Sequence, residues 1–250
     1  MEELVKLVIL SHKRADKVDT LKTISNCSLC VPESQAAEYK KYNPGVEIIA
    51  HPDSIVGLSP KIRWVYAKYK NVVMLDDDLN GMTRNYVDKD FELRGRVDKD
   101  TVYEILQHSA YMTKQLGAFF FGFSNSPRPV DFSPMQPFKL TGFVQGGALG
   151  FLDGFKMHLP DECKSACDYY LSGVNAYFHR KAFIDMRYAF TSKEGTFKST
   201  GGMADIRTKD TEREDYLLLK KAFGPAIVKK TTSSLKPIQN KYERTLRIPF

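Results

Sequence analysis

The 250-residue sequence predicts an α/β protein built on a mostly parallel, doubly wound sheet. The first observation behind this prediction is a repeated order of short apolar runs, typical of strands buried on both faces, and segments of helical spacing. The second is that turn residues, such as Asn43, Pro44 and Gly45, separate these segments. Four such units within the first 80 residues favour parallel strands connected by helices.

The elements of the first third follow in a regular order. The run LVKLVIL at residues 4–10 predicts a buried strand, because nearly every side chain in it is apolar. Further strands are predicted at residues 27–31, 46–50 and 71–75, and helices at residues 16–24, 32–41 and 59–69.

The rest of the chain is less regular. One long helix is predicted at residues 97–116, and strands at residues 118–123, 141–151 and 173–178. The connection at residues 124–140 holds four prolines, and loops of this length are usually functional. A last amphipathic helix, residues 211–223, is predicted to be capped by Thr211, with Glu214 three residues on.

The composition favours one large domain. With 42% hydrophobic residues the chain can bury a core without a disulfide or a metal, and its Gly and Pro counts exclude a collagen-like class. Because no internal repeat or linker divides the chain, we predict a single domain over residues 1–250.

The apolar runs are too short to span a membrane. Residues 118–123, for example, fall far short of the roughly 20 residues that a spanning helix needs. Glu2 and Glu3 do not give the basic-then-apolar order of a signal peptide. We therefore expect a cytoplasmic protein, in the host cytoplasm if a phage encodes it, with no membrane partner.

The four cysteines form two close pairs, Cys27 with Cys30 and Cys163 with Cys167. This spacing allows a zinc site. However, neither pair has the glycine or polar flanks of a zinc ribbon, and the segment CSLCV is typical of a short buried strand. Packing in the core is therefore the favoured interpretation.

Three consecutive carboxylates, Asp76, Asp77 and Asp78, follow the strand predicted at residues 71–75. They repel one another unless a cation or hydrogen-bond donors neutralise them. Ligands of open α/β sheets bind at the carboxyl ends of strands, where Mg²⁺ or Mn²⁺ can bridge carboxylates to substrate phosphates. A metal and diphosphate site is favoured over the alternative, a solvated turn.

The order of these segments resembles the GT-A glycosyltransferases, which use nucleotide sugars. The resemblance depends on SHKRADKVDT after the first strand, on a basic helix that begins near Lys61, and on VVMLDDDL. More narrowly, VPESQAAEY, VVMLDDDL and EREDYLLLKKAFG are similar to the phage glycosyltransferases associated with TET-like DNA oxygenases. Those enzymes are linked to glycosylation of hydroxymethylated pyrimidines in DNA.

The resemblance implies a GT-A, Rossmann-like fold, with a mostly parallel twisted sheet and flanking helices in a single domain. It implies a nucleotide-sugar-binding half at residues 1–81, an acceptor half at residues 82–225 and a basic tail at residues 226–250. The expected activity is transfer of a hexose from a UDP-sugar, UDP-glucose above all, to a hydroxymethylated pyrimidine in double- or single-stranded DNA. The expected cofactor is Mn²⁺ or Mg²⁺.

The resemblance also assigns roles to residues. Asp78 and Asp76 are the expected metal ligands. The expected donor-binding residues are Ser11, His12, Lys13, Arg14, Asp53, Lys61, Asp76, Asp77, Gln145, Gly146 and Gly147. The basic pair Lys13 and Arg14 suits a diphosphate, although an ordinary basic turn remains the alternative. A cap at Asp53 and a strand bulge at the glycines also remain open.

A late acidic pair, Glu214 and Asp215, is expected to supply the general base, because inverting members carry an acidic residue at a similar position. The base takes the proton of the acceptor hydroxyl while the oxygen attacks C1 of the sugar. Asp215 is favoured, since Glu214 has the predicted capping role. The C-terminal tail contains no histidine that could be a further metal ligand.

The tail carries most of the net charge. Residues 226–250 have six basic residues and one acidic residue, a net charge of +5 in a chain of net charge +7. We expect Lys229, Lys230 and Lys236 to contact the DNA backbone, with the hydroxyls between them suited to phosphate oxygens. Closure over the donor diphosphate and a merely solubilising tail are the alternatives.

Three function classes remain open. They are a metal-dependent DNA glycosyltransferase, a different enzyme, and a non-catalytic basic DNA-binding protein. The different enzyme is a GT-A enzyme for a glycan or small-molecule hydroxyl, or a sugar nucleotidyltransferase, which is disfavoured because SHKRADK lacks the glycines of a nucleotide loop. The DNA-binding protein is also disfavoured, because it leaves the three aspartates unexplained and the sequence has no helix-turn-helix, zinc-finger or RNP motif.

Overall fold

The computed structural model describes residues 3–86, 97–192, 207–229, 242 and 244–247. The strands of this part are β1 (Lys6–Leu10), β2 (Cys27–Pro32), β3 (Glu47–His51), β4 (Val72–Asp76), β5 (Leu79–Arg84), β6 (Phe120–Phe123), β7 (Phe138–Lys139), β8 (Ala148–Phe151), β9 (Phe183–Asp185), β10 (Tyr188–Ser192), β11 (Ile227–Lys229) and β12 (Arg244–Leu246). The α-helices are α1 (Ala36–Tyr42), α2 (Leu58–Tyr69), α3 (Lys99–Gln115), α4 (Cys167–Phe178) and α5 (Lys209–Phe223).

An eight-stranded sheet organises these elements, in the order β3-β2-β1-β4-β8-β6-β9-β7. The first four strands of this order are parallel to one another. Beyond them, β8 is antiparallel to β4 and β6, β9 is parallel to β6, and β7 is antiparallel to β9 at the edge. Helices cover this mostly parallel sheet in a Rossmann-like arrangement, which confirms the predicted GT-A fold class.

Apolar side chains cover both faces of the sheet, because successive residues of a strand point to opposite sides. On β1, Val8 belongs to the cluster that includes α2 and α4, whereas Leu7 and Ile9 belong to the cluster that includes α1 and α3. The near-continuous apolar run at residues 4–10 is therefore explained by burial on two sides.

The pairing of β8 with β6 requires a glycine. Gly150 lies opposite Phe121, and a Cβ at position 150 would come within 2.3 Å of the Phe121 ring. The fully buried Phe121 ring thus lies over Gly150 and occupies the space that a side chain at position 150 would need. This close packing holds β8 against β6, and the other edge of β8 pairs with β4, where β8 helps to form the site described below.

Two predicted elements are wrong, and the strand predicted at residues 141–151 is limited to Ala148–Phe151. The segment predicted as a helix at residues 16–24 contains only a short 3-10 turn, Asp19–Lys22. The segment predicted as a strand at residues 173–178 is the second half of α4. All residues from 171 to 176 are buried, and a short apolar run in a buried helix cannot be distinguished from a buried strand by periodicity.

The cap of the last helix also differs from its prediction. Thr208, not Thr211, is the N-cap of α5, and its side chain accepts a hydrogen bond from the backbone N–H of Thr211. The Thr211 hydroxyl in turn accepts from the backbone N–H of Thr208, which completes a capping box. Glu214 therefore has no capping role and pairs instead with Lys164 at 2.7 Å.

The cysteines contribute to packing. All four are free thiols, and Cys30, Cys163 and Cys167 are buried in one core cluster. No described helix combines the length and the apolarity that crossing a bilayer requires.

We predict that Gly150→Ala lowers the free energy of unfolding by about 2–3 kcal/mol, since the added methyl group overlaps a ring that has no room to move. Urea denaturation measures the loss. The same substitution in a Phe121→Leu background is the control, and it should cost clearly less. Equal costs in the two backgrounds would show that the ring does not limit position 150.

Candidate active site

A cleft of about 910 Å³ opens at the carboxyl ends of β1, β2, β3 and β4. Because β8 is antiparallel, its amino end, with Gly146 and Gly147 before it, lies at the same edge of the sheet. The first turn of α4 completes the wall beyond β8, with Asp168 and Tyr169 in the lining. The strand order therefore brings residues that are far apart in the sequence to one cleft.

The three adjacent aspartates have different environments. Asp77 is buried, with its carboxylate accepting a hydrogen bond from the Ser11 hydroxyl at 2.5 Å and pairing with the Arg14 guanidinium at 2.8 Å. Asp76 is exposed to the cleft and Asp78 is half-buried in its lining. The outer two aspartates are thus presented to a ligand, while the middle one is neutralised by the protein.

A closed ring of hydrogen bonds surrounds Asp77. Since the Ser11 hydroxyl donates to Asp77, its oxygen must accept from the Tyr39 hydroxyl, at 2.7 Å. The Tyr39 oxygen accepts from the backbone N–H of Arg14, at 3.0 Å, and the Arg14 side chain returns to Asp77. The loop after β1 is therefore fixed against the acidic turn, and the Arg14 guanidinium is already committed to a carboxylate.

Backbone contacts hold the acidic turn from both sides. The carbonyl of Asp76 accepts a hydrogen bond from the Thr20 hydroxyl at 2.6 Å, and its N–H donates to the carbonyl of Gly147 at 3.1 Å. A Cβ at position 147 would lie 3.4 Å from the side chain of Leu79, an ordinary van der Waals contact. The two backbone hydrogen bonds therefore hold the turn between Thr20 and the segment before β8.

The carboxylate of Asp76 is electrostatically strained. Although its side chain is exposed to the cleft, the surrounding protein desolvates it, and Asp78, Asp77 and Asp168 add negative charge nearby. These effects raise the pKa of Asp76 to about 8. A cation bound at this point would relieve the repulsion.

The side of the cleft near β2 and β3 is polar. The Gln35 side chain accepts from the backbone N–H of Lys13 at 2.9 Å and contacts His12 Nδ1 at 3.2 Å. Asp53 accepts from the N–H and hydroxyl of Ser34, and these hydrogen bonds hold its pKa below the usual range. His12, Gln35 and Asp53 line the cleft, whereas Lys13 is exposed and lies outside the lining.

Lys61 has a structural contact in the cleft floor. It is buried, and its ammonium donates to the carbonyl of Ser11 at 3.0 Å. Burial lowers the pKa of this lysine. Lys61 thus stabilises the loop after β1. It also lines the cleft, where it was predicted to bind the donor.

Asp168 is the carboxylate of the far wall. Its Oδ2 accepts from the backbone N–H of Gly146 at 3.2 Å, and its Oδ1 accepts from the N–H of Tyr169 at 2.8 Å. Burial raises the pKa of Asp168 to about 6, against the opposing effects of these N–H groups and of Arg244 and Arg207. The group is therefore close to the pKa range in which a carboxylate exchanges protons near neutral pH. Gln145, the third residue predicted in this segment, also lines the cleft.

Asp215 and Glu214, the residues predicted to supply the general base, do not line the cleft. Asp215 is completely buried and accepts three hydrogen bonds, from the N–H of Lys164 and from the N–H and hydroxyl of Ser165. Both of its oxygens thus accept hydrogen bonds from the loop before α4. Glu214 is exposed and paired with Lys164. This placement does not support a general base at either residue.

A buried ionic cluster lies behind the same wall. Glu212 is almost fully buried between Arg207, at 2.5 Å, and Arg244, at 3.2 Å. Arg207 lines the cleft, whereas Arg244 belongs to β12. The cluster therefore links the C-terminal strand to a cationic side chain of the cleft.

The predicted DNA contacts fall mostly outside the described residues. Lys230 and Lys236 are among the residues that the structure does not describe. Lys229 is exposed at the end of β11, with its ammonium 5.7 Å from the centroid of the Tyr242 ring, and it does not line the cleft.

The sequence indicates only part of this wall. The segment CDYYLSG allows Asp168, Tyr169 and Tyr170 to line the acceptor side, with ordinary helix packing of the tyrosines as the alternative, and the structure places Asp168 and Tyr169 in the cleft lining. Phe143 and Arg207 also line the cleft. For Arg207 the only available signal was its position shortly before a helix rich in acidic residues.

We predict that Arg14→Met destabilises the fold by about 3 kcal/mol, because it leaves the buried carboxylate of Asp77 without its cation. Urea denaturation at neutral pH measures the change. The neighbouring exposed lysine supplies a matched control, since Lys13→Met should change stability by no more than about 0.5 kcal/mol. Equal small effects of the two substitutions would contradict the assignment of a buried ion pair.

Comparison with known proteins agrees with this geometry. Residues 5–202 match the family described as TET-Associated Glycosyltransferase, a range that contains the strands and acidic turn of the cleft as well as Asp168. A search of curated protein sequences gave no significant match. The match spans most of the chain, and the protein therefore belongs to the TET-associated glycosyltransferase family.

Proposed function

We propose that the protein transfers a sugar from a UDP-sugar, UDP-glucose above all, to a hydroxymethylated pyrimidine in DNA, with Mn²⁺ or Mg²⁺ as cofactor. The single observation that carries this proposal is the presentation of Asp76 and Asp78 at the end of β4, in a cleft of a glycosyltransferase-family fold. We propose the cytoplasm as the place of the reaction.

The strand order supports one direction for the donor. The edge of the sheet presents, in sequence, Asp53 after β3, Gln35 after β2, Ser11 after β1, Asp76 at the end of β4, and Gly147 before β8. Adjacent strands lie about 4.8 Å apart, so β3 and β4 are separated by roughly 14 Å, enough for a nucleoside. The nucleoside then lies toward Asp53, the diphosphate at the acidic turn, and the sugar toward Gly147.

The donor set suits a hard divalent cation. Within the described residues no cluster of three His, Cys, Asp or Glu side chains forms a complete metal site. However, Mg²⁺ is commonly held by one or two carboxylates together with substrate phosphates, and Asp76 and Asp78 provide that number. When bound, the cation would neutralise the negative charge of the diphosphate leaving group. Asp76 and Asp78 would hold it in the cleft.

Asp168 is the proposed general base. Its carboxylate lies on the wall beyond Gly146, on the side where the sugar is expected, and it is the acidic residue that lines this wall. In the proposed step the hydroxymethyl oxygen of the acceptor attacks C1 of the sugar, its proton passes to Asp168, and the bond from C1 to the diphosphate breaks. The products are the glycosylated base and UDP.

DNA as the acceptor is supported by the charge of the chain. The net charge of +7 favours a polyanionic partner. A base inside a duplex cannot reach a cleft, so it would have to be flipped out or presented in a single strand. A glycan or a small-molecule hydroxyl is the alternative acceptor.

A donor and acceptor screen tests the proposed function. UDP-glucose, other UDP-sugars and other nucleotide sugars are incubated with Mn²⁺ or Mg²⁺, and UDP release is measured with and without hydroxymethylated DNA. We expect release that depends on a UDP-sugar, the metal and the modified DNA together. Transfer only to a glycan or small hydroxyl compound would refute the DNA acceptor and leave the glycosyltransferase intact.

We predict that Asp78→Asn abolishes the dependence of UDP binding on Mn²⁺ while the melting temperature stays near that of the wild type, because Asp78 faces the cleft and not the core. Calorimetric titration of UDP with and without Mn²⁺ gives the affinities. Asp131→Asn, in the loop after β6 and away from the cleft, is the matched control and should keep the metal response. An Asp78→Asn protein with a normal metal response would exclude Asp78 as a ligand.

We predict that Asp168→Asn lowers kcat by about 10²- to 10⁴-fold and still binds UDP, since a general base acts on the acceptor proton alone. The wild-type rate should fall as the pH drops through about 6, where Asp168 takes up a proton. Asp215→Asn should instead lower the melting temperature, because its carboxylate accepts three buried hydrogen bonds. A stable but inactive Asp215→Asn protein beside an active Asp168→Asn protein would return the base to Asp215.

A further inference from the structure

A stack of three planar groups forms the wall beyond the acidic turn. The guanidinium carbon of Arg244 lies 5.3 Å from the centroid of the Tyr169 ring. The Tyr169 ring is in turn 4.4 Å from the Phe143 ring, with an angle of 32° between their planes. Arg244 is buried, whereas Phe143 and Tyr169 are half-buried and line the cleft. The stack therefore runs from the protein interior to the cleft and ends at Phe143.

Hydrogen bonds of the segment that follows Phe143, and of Tyr169, hold this stack in place. The backbone N–H of Val144 donates to the Ser172 hydroxyl at 3.1 Å, and that of Gly146 donates to Asp168 at 3.2 Å. The Tyr169 hydroxyl donates to the carbonyl of Arg244 at 3.1 Å. The ring of Phe143 is thus attached to the same helix turn that carries Asp168, so its orientation is fixed before any ligand binds.

We propose that Phe143 is the platform on which the planar base of the acceptor stacks, an inference that rests on the proposed function. Aromatic side chains stack with any nucleobase, because every base has a π-face. Stacking would hold the plane of a hydroxymethylated pyrimidine parallel to the Phe143 ring. The hydroxymethyl group, attached at the edge of the base, then extends along the wall toward Asp168.

The position of Phe143 favours the acceptor over the donor. Along the edge of the sheet the donor is expected between Asp53 and Gly147, with its sugar at the β8 end. Phe143 precedes Gly147 by four residues and packs against α4, on the far side of that sugar. A base that is flipped out of DNA loses its stacking contacts with the adjacent bases. A flat apolar ring held beside Asp168 can replace one of those contacts.

Binding and kinetics of Phe143 variants test this inference. The probe is 5-hydroxymethyl-2′-deoxycytidine, titrated by calorimetry into the full-length protein saturated with UDP and Mn²⁺, with titration of UDP itself as the second measurement. We expect Phe143→Ala to weaken nucleoside binding by about 5- to 150-fold, the usual range for a lost stacking contact. The same variant should lose far less affinity for UDP, and the KM for hydroxymethylated DNA should rise by more than kcat falls.

Two further variants separate stacking from a loss of packing. Phe143→Leu keeps apolar volume without a flat ring and should resemble Phe143→Ala, whereas Phe143→Trp should restore nucleoside binding. Tyr177 lies in α4, the helix of Tyr169, but outside the cleft, and its side chain is 75% exposed. Tyr177→Ala should therefore leave nucleoside binding unchanged. Melting temperatures of all variants identify any that fail to fold.

The outcomes are distinct. If Phe143→Leu binds the nucleoside as well as the wild type does, or if Phe143→Ala loses UDP and nucleoside affinity equally, the stacking platform is refuted. A wild-type protein that does not bind the nucleoside also refutes it. If the affinities of the variants for the nucleoside follow the predicted order but hydroxymethylated DNA receives no sugar, the stacking platform is supported and the proposed reaction is refuted.

Discussion

The buried ion pair between Arg14 and Asp77 determines how the cleft presents its charge. Three consecutive aspartates at the end of a strand cannot all face a ligand, because the backbone directs neighbouring side chains to different sides. Here the middle carboxylate turns inward, where Arg14, Ser11 and Tyr39 neutralise it and satisfy its hydrogen bonds. The side chains that this turn presents to the cleft are then those of Asp76 and Asp78. Arg14 is thereby engaged by Asp77 within the scaffold.

The order of strands in the sheet converts a scattered set of residues into a linear site. Parallel strands β3, β2, β1 and β4 contribute their carboxyl ends, and antiparallel β8 contributes the glycines before its amino end. A glycine is needed at position 150, where β8 lies against Phe121, and the carbonyl of Gly147 accepts the hydrogen bond that joins the segment before β8 to the acidic turn. One end of the site is consequently polar and the other is formed by Phe143, Tyr169 and Asp168.

The fold and the acidic half of the site could be predicted from the sequence for a physical reason. Strands buried on both faces leave nearly continuous apolar runs, and an acidic run directly after such a strand must lie at the ligand-binding edge. The far wall could not be predicted in the same way. Residues 171–176 are all buried within a helix, so this stretch shows no helical periodicity, and the contact of Asp168 with Gly146 depends on pairing across 22 residues. Burial of Asp215 likewise follows only from tertiary packing.

Helix α5 supports the wall from behind. Asp215 fixes the backbone of Lys164 and Ser165, and Ser165 itself lies in the cleft lining just before α4 begins. One turn earlier on the same helix, Glu212 holds Arg207, whose side chain lines the cleft, and Arg244, which lies under Tyr169. The acidic residues Glu212 and Asp215 of this helix therefore have structural contacts that the sequence motif alone does not reveal. Their carboxylates set the positions of Ser165, Arg207 and the Tyr169 stack, so that α4 presents Asp168 to the cleft at a fixed place.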